Sequence, residues 1–263
     1  MKLIRRATEW GNSAGVRVPR KWLGLEVEAR PLAPLAIEEV QKDVLSKMNP
    51  YLADIQGIYL TGSYARMEQT NTSDVDILVI MDKPIKIPKK EPYDIYAISR
   101  ERMDKLITYY PLLIMSMIKE ARPIINGALL KDLRKIELKP SYFKEHAEST
   151  KRALRIIDDL MDGYGDSDIA TSSLIYPIIL RLRGLYLVRA LLKNKIYKTL
   201  DIKKDIGKEG IEKERIEEIY KIYQVKRDAK KDLRSDITIG EMRKIYNLAL
   251  KRYKEVRKWL KGR

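Results

Sequence analysis

The sequence predicts an α+β fold in three parts: a small N-terminal β-arm, a central region of alternating helices and strands, and a C-terminal bundle of helices. Two patterns predict this class. Between residues 57 and 125, short apolar runs rich in β-branched residues alternate with stretches of helical periodicity. From about residue 140, apolar residues recur only at helical spacing. The 263 residues suffice for more than one domain, and we place the boundaries at 1–33, 34–139 and 140–263.

The N-terminal arm is predicted from turn chemistry. Gly11-Asn12-Ser13 has the composition of a turn between two short strands. A stiff break at Pro31-Leu-Ala-Pro34 ends this part. The predicted strands are Ile4–Glu9, Gly15–Pro19 and, as a further candidate, Leu25–Ala29.

The central region is predicted to alternate between the two kinds of element, because its apolar pattern switches repeatedly between helical spacing and short buried runs. The predicted strands are Gly57–Thr61, Val75–Met81, Tyr93–Ile98 and Arg122–Ile125. The predicted helices are Ile37–Met48, Arg100–Tyr109, Ile114–Lys119 and Ala128–Leu133. Four longer helices follow, at Ser141–Met161, Asp168–Lys193, Ile211–Asp232 and Ile239–Leu260, and helices of this length favour an antiparallel bundle.

Composition excludes several classes of site. The chain has no cysteine and one histidine, His146, which excludes disulfides, thiolate zinc sites, a cysteine nucleophile and multi-histidine metal sites. Any metal must therefore be bound by carboxylates, which favours Mg²⁺ or Mn²⁺. No apolar run is long enough to span a membrane and no signal-peptide core is present, so we expect a soluble cytoplasmic protein. Rich Lys, Glu and Ile usage also suits a thermophile.

The net charge of +16 predicts attraction to polyanions such as nucleotides or nucleic acid. This charge is uneven along the chain. Residues 221–263 contain 15 Lys and Arg against 5 Asp and Glu, so +10 of the excess lies there.

The stretch that carries chemistry begins where a predicted strand ends. Gly62 permits a sharp turn and lets backbone amides approach an anion closely. Ser63 follows at the start of a short helix, where its hydroxyl and the helix amides can contact phosphate. This arrangement predicts a cradle for the triphosphate of an NTP.

Two carboxylates follow at the start of the next strand. Asp74 and Asp76 are two residues apart, a spacing that points both side chains to one face of a strand. Their mutual repulsion is relieved by a divalent cation. Magnesium held there can bridge a triphosphate and favour attack by a hydroxyl on the α-phosphorus.

Gly-Ser, ten intervening residues and Asp-Val-Asp together resemble the signature of the DNA polymerase β-like nucleotidyltransferases, and Gly-Ser-Tyr-Ala-Arg…Ser-Asp-Val-Asp resembles their small prokaryotic and archaeal members. The resemblance spans residues 36 to 135. It implies a mixed sheet, two metal-binding aspartates at Asp74 and Asp76, and NMP transfer from an NTP, with ATP as the expected one. It also implies a third carboxylate on a neighbouring strand, best matched by Asp94, which completes the metal site and acts as base; Glu91 lies close by.

Two residues beside this motif stay open. Arg66 either binds phosphate or pairs with Glu68. Met67 stands where the small members usually have glycine, which puts loop geometry and substrate access in question.

Residues 8–29, with Gly-Asn-Ser and Val-Pro-Arg-Lys, resemble the AbrB-type swapped-hairpin DNA-binding domains, which are dimeric. The resemblance implies a homodimer and candidate DNA contacts at Arg6, Arg17, Arg20 and Lys21. A β-arm that only dimerises is the favoured interpretation. A non-catalytic DNA-binding regulator that uses this arm and the basic C-terminus is the alternative function.

The C-terminal helices resemble the HEPN-like partner of minimal nucleotidyltransferases. His146 lacks the nearby upstream arginine of HEPN ribonucleases, so we reject that activity. Tyr220, Tyr223, Lys226, Arg227 and Lys230 recur at one-turn spacing and are candidates to line the nucleotide cleft, by base stacking and phosphate contact. A solvated basic face is the alternative. An antitoxin-like protein adenylyltransferase is a further functional alternative, since only the acceptor distinguishes it.

Overall fold

A computed structural model describes residues 3–27, 32–71, 73–83, 85–88, 91–227 and 236–262. It confirms the predicted α+β class: a mixed four-stranded sheet with helices, a C-terminal set of helices and a small N-terminal hairpin. Among the described residues, no helix combines the length and the apolar composition needed to cross a membrane.

The N-terminal hairpin is shorter than predicted. Strands β1 (Thr8–Trp10) and β2 (Ser13–Gly15) pair antiparallel, and Gly11 in the turn has a φ of +57°. The structure has no strand at residues 25–27, and residues 28–29 of that prediction lie outside the described part of the chain. A two-stranded ribbon with exposed faces gains little from burial, so its pairing does not extend along the chain.

The central sheet has the strand order β5-β4-β3-β6, in which β4 and β5 run parallel and the other neighbours antiparallel. Its strands are β3 (Ile55–Leu60), β4 (Val75–Met81), β5 (Tyr93–Ser99) and β6 (Arg122–Ile125). The helices around it are α1 (Ile37–Met48), α2 (Gly62–Arg66), α3 (Met103–Tyr109), α4 (Pro111–Glu120) and α5 (Gly127–Leu133).

Both faces of strand β4 are buried, which explains its continuous apolar run. Ile77 and Val79 pack with Val40 and Val44 of α1 on one face. Leu78 and Ile80 point to the other face, where the helices of the C-terminal half continue the core. Asp76 alternates with Ile77 along the strand and so lies on the same face as Leu78 and Ile80, opposite the face covered by α1.

The C-terminal part has five helices among the described residues, one more than predicted: α6 (Lys144–Met161), α7 (Ser172–Leu192), α8 (Thr199–Lys208), α9 (Lys213–Arg227) and α10 (Ile239–Leu260). Helix α8 was missed because it is short and mostly polar. Only Ile202 and Ile206, one turn apart, anchor it in the core.

Helix α7 holds this part together. It is apolar around most of its circumference and contacts α6, α8, α9 and α10, as well as α4 beside the sheet. One buried cluster therefore runs from Tyr59 and Leu78 in the sheet through α4 to Ile178 and Leu182 in α7. The boundary that we predict at 139/140 stays a prediction, and the hydrophobic core is continuous across it.

Candidate active site

The turn from β3 into α2 is built around the backbone of Asp76. Thr61 is buried and donates both its amide, at 2.8 Å, and its hydroxyl, at 3.2 Å, to the Asp76 carbonyl oxygen. The next residue, Gly62, has a φ of +66°, a conformation that favours glycine. A Cβ at Gly62 would lie 1.9 Å from Asp76 Oδ2, so the Asp76 carboxylate packs directly against the turn. Ser63 follows, half-buried, in the first turn of α2.

The left-handed residue that ends α2 is Met67, with a φ of 59°. Its amide donates to the carbonyls of Ser63 and Tyr64, and its side chain is exposed. The glycine found here in the resembling family thus corresponds to a backbone requirement of this turn, which methionine meets at a cost in strain.

We therefore expect Met67→Gly to stabilise the protein by about 1 kcal/mol, because relief of the left-handed strain outweighs the extra entropy of an unfolded glycine. Thermal unfolding should show a rise of a few degrees in Tm. Met67→Ala, which removes the side chain and keeps the strain, is the matched control and should leave Tm nearly unchanged. An equal rise in both variants would show that the side chain, and not the backbone, carries the strain.

The predicted carboxylates lie at the end of the sheet where β4 and β5 begin. Asp76 and Asp94 are register partners on these parallel strands, and Asp74 lies two residues before Asp76 and is exposed. Burial, followed by the charges of Asp94, Glu120 and Asp74, raises the pKa of Asp76 to about 6, against a smaller opposing effect of Arg66. The Asp94 carboxylate accepts a hydrogen bond of 2.9 Å from the Tyr96 hydroxyl. Asp76 is thus the centre of a concentration of negative charge.

These carboxylates suit a divalent cation in charge and donor type. All are hard oxygen donors, and a cation would offset the repulsion that raises the pKa of Asp76. Among the described residues, however, no three His, Asp or Glu side chains are grouped as a metal site requires. Binding by all three aspartates would therefore require their side chains to turn from the positions that they occupy.

Glu120, the last residue of α4, is a site residue that sequence reasoning missed. Its Oε1 accepts a hydrogen bond of 2.9 Å from the Gly62 amide, and its Oε2 pairs with Arg66 at 2.6 Å. The side chain is buried, and burial raises the pKa of Glu120 although Arg66 opposes this. One amide of the predicted phosphate cradle is thus occupied by an internal carboxylate. The only sequence signal was a glutamate at the end of a mostly apolar helix.

Arg66 is held by two carboxylates. Its Nε lies 2.9 Å from Glu68 and its other contact is Glu120, while only 11% of its side chain is exposed. Its guanidinium also stacks 5.7 Å from the ring centre of Tyr197. Of the two roles considered for Arg66, the pair with Glu68 is the one observed here, and phosphate binding remains a prediction.

The helical part closes onto this site through Glu68. The Glu68 carboxylate accepts hydrogen bonds of 3.1 Å from both the amide and the hydroxyl of Thr199, at the start of α8. Arg183 of α7 lies 5.8 Å from the Tyr197 ring and donates to the Tyr223 hydroxyl at 3.3 Å. Arg183, Tyr197 and Thr199 were not predicted, since no local pattern marks them.

The residues predicted to line the nucleotide cleft differ in how far they are buried. Tyr223 is 3% exposed and its ring stacks on Tyr176, 5.6 Å between centroids, so this ring face already has a partner. Tyr220 is also buried, Lys226 is half-buried and Arg227 is exposed. Lys230 lies outside the described residues. The candidate DNA contacts of the arm, Arg6, Arg17, Arg20 and Lys21, are all exposed.

Comparison with known proteins adds a family match. Residues 38–142 match the family described as "Nucleotidyltransferase domain", a span that includes neither the arm nor helices α6 to α10. No curated protein matches the chain in sequence.

Two solved structures are similar in outline. One is the spectinomycin adenyltransferase AAD(9) from Enterococcus faecialis, with ATP and spectinomycin, at 16% identity, 83% of this chain and 98% of that chain covered, and a TM-score of 0.42. The other is a nucleotidyltransferase-like protein from Exiguobacterium sibiricum 255-15, at 12% identity, 84% and 75% covered, and a TM-score of 0.33. Both are too distant to bear on function, which leaves the family match as the finding that does.

Proposed function

We propose, from the premise that residues 38–142 form a nucleotidyltransferase domain, that the protein transfers a nucleoside monophosphate from an NTP to an acceptor with the help of magnesium. The observation that carries this proposal is the contact between the Asp76 carboxylate and the Gly62 turn, with Asp94 in register beside Asp76. A carboxylate that binds a cation and a turn that binds phosphate can act on the same triphosphate only when the two lie side by side.

In this mechanism Asp74 and Asp76 would hold a magnesium ion, which would neutralise charge on the triphosphate. Gly62 and Ser63 position the phosphates. Asp94 accepts the proton of the acceptor hydroxyl as the acceptor oxygen bonds to the α-phosphorus. The bond from the α-phosphorus to the bridging oxygen breaks, and pyrophosphate leaves with that electron pair.

Glu120 adds a step that the sequence alone did not suggest. Because its Oε1 holds the Gly62 amide, a phosphate oxygen can take that amide only when Glu120 releases it. Arg66 keeps the other oxygen of Glu120 in place and so limits how far the carboxylate moves. We propose that Glu120 positions the turn in the empty protein and gives way to the triphosphate.

Incubation with magnesium and each labelled NTP tests the proposal. Wild-type protein should incorporate label into an acceptor added as RNA, small molecule or protein, and Asp74→Asn/Asp76→Asn should not. The matched control is Asp104→Asn/Asp132→Asn, which removes two exposed carboxylates elsewhere. Equal incorporation by wild type and the Asp74/Asp76 variant would refute the mechanism.

The same experiment separates protein adenylylation from the other acceptors. Transfer to a partner protein or to the chain itself leaves label in a protein band on a denaturing gel. Transfer to RNA or to a small molecule leaves it elsewhere. The active site is identical in all these cases, so only the acceptor decides between them.

For the N-terminal arm we propose pairing with a second copy of the chain. Its exposed apolar side chains include Trp10 (74% exposed) and Leu23 (88% exposed), which favours burial against a partner. The alternative is a DNA-binding regulator that uses the exposed basic residues of the same arm. A gel shift with and without residues 1–33 decides: DNA binding that vanishes on truncation, with no nucleotide transfer by the full chain, favours the regulator.

A further inference from the structure

A groove on the helical part is lined by an excess of positive charge. It has a volume of about 310 Å³ and lies between the C-terminal end of α7, the connection that follows and α8. Six of its lining residues are cationic: Arg189, Lys193, Lys195, Lys198, Lys204 and Lys208. Two are acidic, Asp201 and Asp205, so the groove has a net charge of +4.

One of the two acidic residues is already neutralised. Asp205 accepts hydrogen bonds from Tyr186, from Lys208 at 2.8 Å and from Arg252 at 2.6 Å. Burial alone would raise the pKa of Asp205, but these partners lower it to about 2. Asp205 thus serves to fix α8 against α7 and α10, and it offsets little of the remaining charge in the groove.

Of the five lysines that line the groove, only Lys208 forms an ion pair with a described residue, and Lys193 lies with its ammonium 4.9 Å from the centre of the Trp259 ring. Lys195, Lys198 and Lys204 are exposed and form no ion pair with any described residue. Lys195 and Lys198 belong to the connection after α7, and Lys204 belongs to α8. Like charges facing one groove repel, and a bound polyanion relieves that repulsion.

The groove is joined to the active site through one layer of side chains. A small enclosed space of about 10 Å³, enough for one water, is lined by Glu120 and shares Ala190, Lys195, Ile196 and Tyr197 with the groove. Tyr197 in turn stacks against Arg66. A ligand in the groove therefore lies close to the residues that hold the Gly62 turn.

We propose that this groove binds the phosphate backbone of a single-stranded nucleic acid, the acceptor of nucleotidyl transfer, with Lys195, Lys198 and Lys204 contacting successive phosphates. The acceptor role rests on the proposed function. Several lysines without ion-pair partners along one groove match a chain that carries one negative charge per repeat. The net charge of +16 adds long-range attraction for such a polymer.

Binding of a labelled 12-nucleotide RNA, followed by fluorescence anisotropy without NTP or magnesium, tests the groove. Lys195→Glu/Lys198→Glu/Lys204→Glu should weaken binding at least about 30-fold and reduce the slope of log affinity against log salt by about 2, from three lost phosphate contacts. The control Lys42→Glu/Lys105→Glu/Lys151→Glu makes the same change in net charge at exposed lysines outside the groove. It should weaken binding no more than about threefold.

Each other outcome has a defined meaning. Equal weakening in both triple variants would overturn the proposal, because net charge alone would then explain binding. Tighter binding of labelled polyglutamate than of RNA of equal charge, with the polyglutamate binding lost in the groove variant, would overturn it in favour of an acidic protein partner. Thermal melts of both variants show whether a loss of fold, seen as a lowered Tm, accounts for either result.

Failure of the proposed function is separable. Asp74→Asn/Asp76→Asn should bind RNA like wild type, since the groove does not include these residues. If wild type transfers no nucleotide but the groove variant still loses RNA, the groove stands as a binding site and the enzymatic proposal falls. If wild type transfers nucleotide to RNA and the groove variant does so equally well, the acceptor assignment is wrong.

Discussion

Asp76→Asn is expected to make the metal-free protein more stable at pH 7.5 while lowering nucleotidyl transfer by about 10³-fold or more. The pKa of Asp76 rises from 3.8 to about 6 because burial and three neighbouring carboxylates disfavour its charge. Because this pKa is raised in the folded state, the protonated side chain makes its full contribution to the free energy of unfolding below about pH 4. That contribution is lost as the pH rises through about 6. Ionised Asp76 therefore weakens the fold at neutral pH.

The size follows from the shift. Two pKa units correspond to about 3 kcal/mol at most, and partial exposure reduces this to about 1–2 kcal/mol. For a chain of this length, Tm should rise by about 2–8 °C. The expected activity loss is larger, since the variant removes the principal charge at the proposed cation site, a loss comparable to that of a main electrostatic group of an active site.

Two measurements check this prediction. At pH 4 the aspartic acid is largely protonated, so wild type and Asp76→Asn should differ little in Tm, which serves as an internal control. At pH 7.5, added magnesium should raise the Tm of wild type and not that of the variant. A variant less stable than wild type at pH 7.5, or one that magnesium stabilises equally, would contradict the account of Asp76.

Gly62→Ala is expected to destabilise the protein by about 2–4 kcal/mol and to abolish transfer. The added Cβ would lie 1.9 Å from Oδ2 and 2.7 Å from Cγ of Asp76, and the φ of +66° is strained for alanine. The turn and the carboxylate must then separate, and the proposed mechanism needs them adjacent. Chemical denaturation and the labelled-NTP assay measure the two effects.

The matched control is Gly163→Ala, where an added Cβ meets no atom within 4 Å. It should leave both stability and transfer nearly unchanged. Placing Gly62→Ala in an Asp76→Ala background tests the cause, since removal of the carboxylate should recover the part of the penalty that comes from the clash. If the losses in the free energy of unfolding caused by the two substitutions simply add, backbone strain alone accounts for the cost of Gly62→Ala.

The sequence was informative wherever a short segment decides its own structure. The bounds of α1, β4 and α10 are as predicted, because each has a clear apolar period or a buried β-branched run. The bounds of the short strand β6 are also as predicted, although none of its residues is buried. The arrangement of Gly62 beside Asp76 follows from a strand-turn-helix-strand unit of some twenty residues. The register of Asp94 with Asp76 needed only the adjacent strand.

The rest depended on contacts between distant parts of the chain. Glu120 reaches Gly62 from 58 residues away, and Thr199 reaches Glu68 from 131 residues away. No periodicity predicts such pairs. Tyr223 lies in a helix, as its spacing predicts. The stacking of its ring on Tyr176 in the interior depends on packing, which the spacing does not reveal. Helix α8 was missed because two isoleucines are too few to mark a helix.

The continuous core beneath the sheet has a consequence for how this protein can be divided. The cluster that contains Tyr59, Leu78 and Ile80 passes through α4 to α7, so a fragment ending near residue 139 would expose the side of α4 that contacts α7. We therefore expect residues 38–142, the span of the family match, not to fold as a self-standing module. Substitutions on the side of α7 that contacts α4 should therefore shift α4, whose last residue, Glu120, accepts a hydrogen bond from the Gly62 amide.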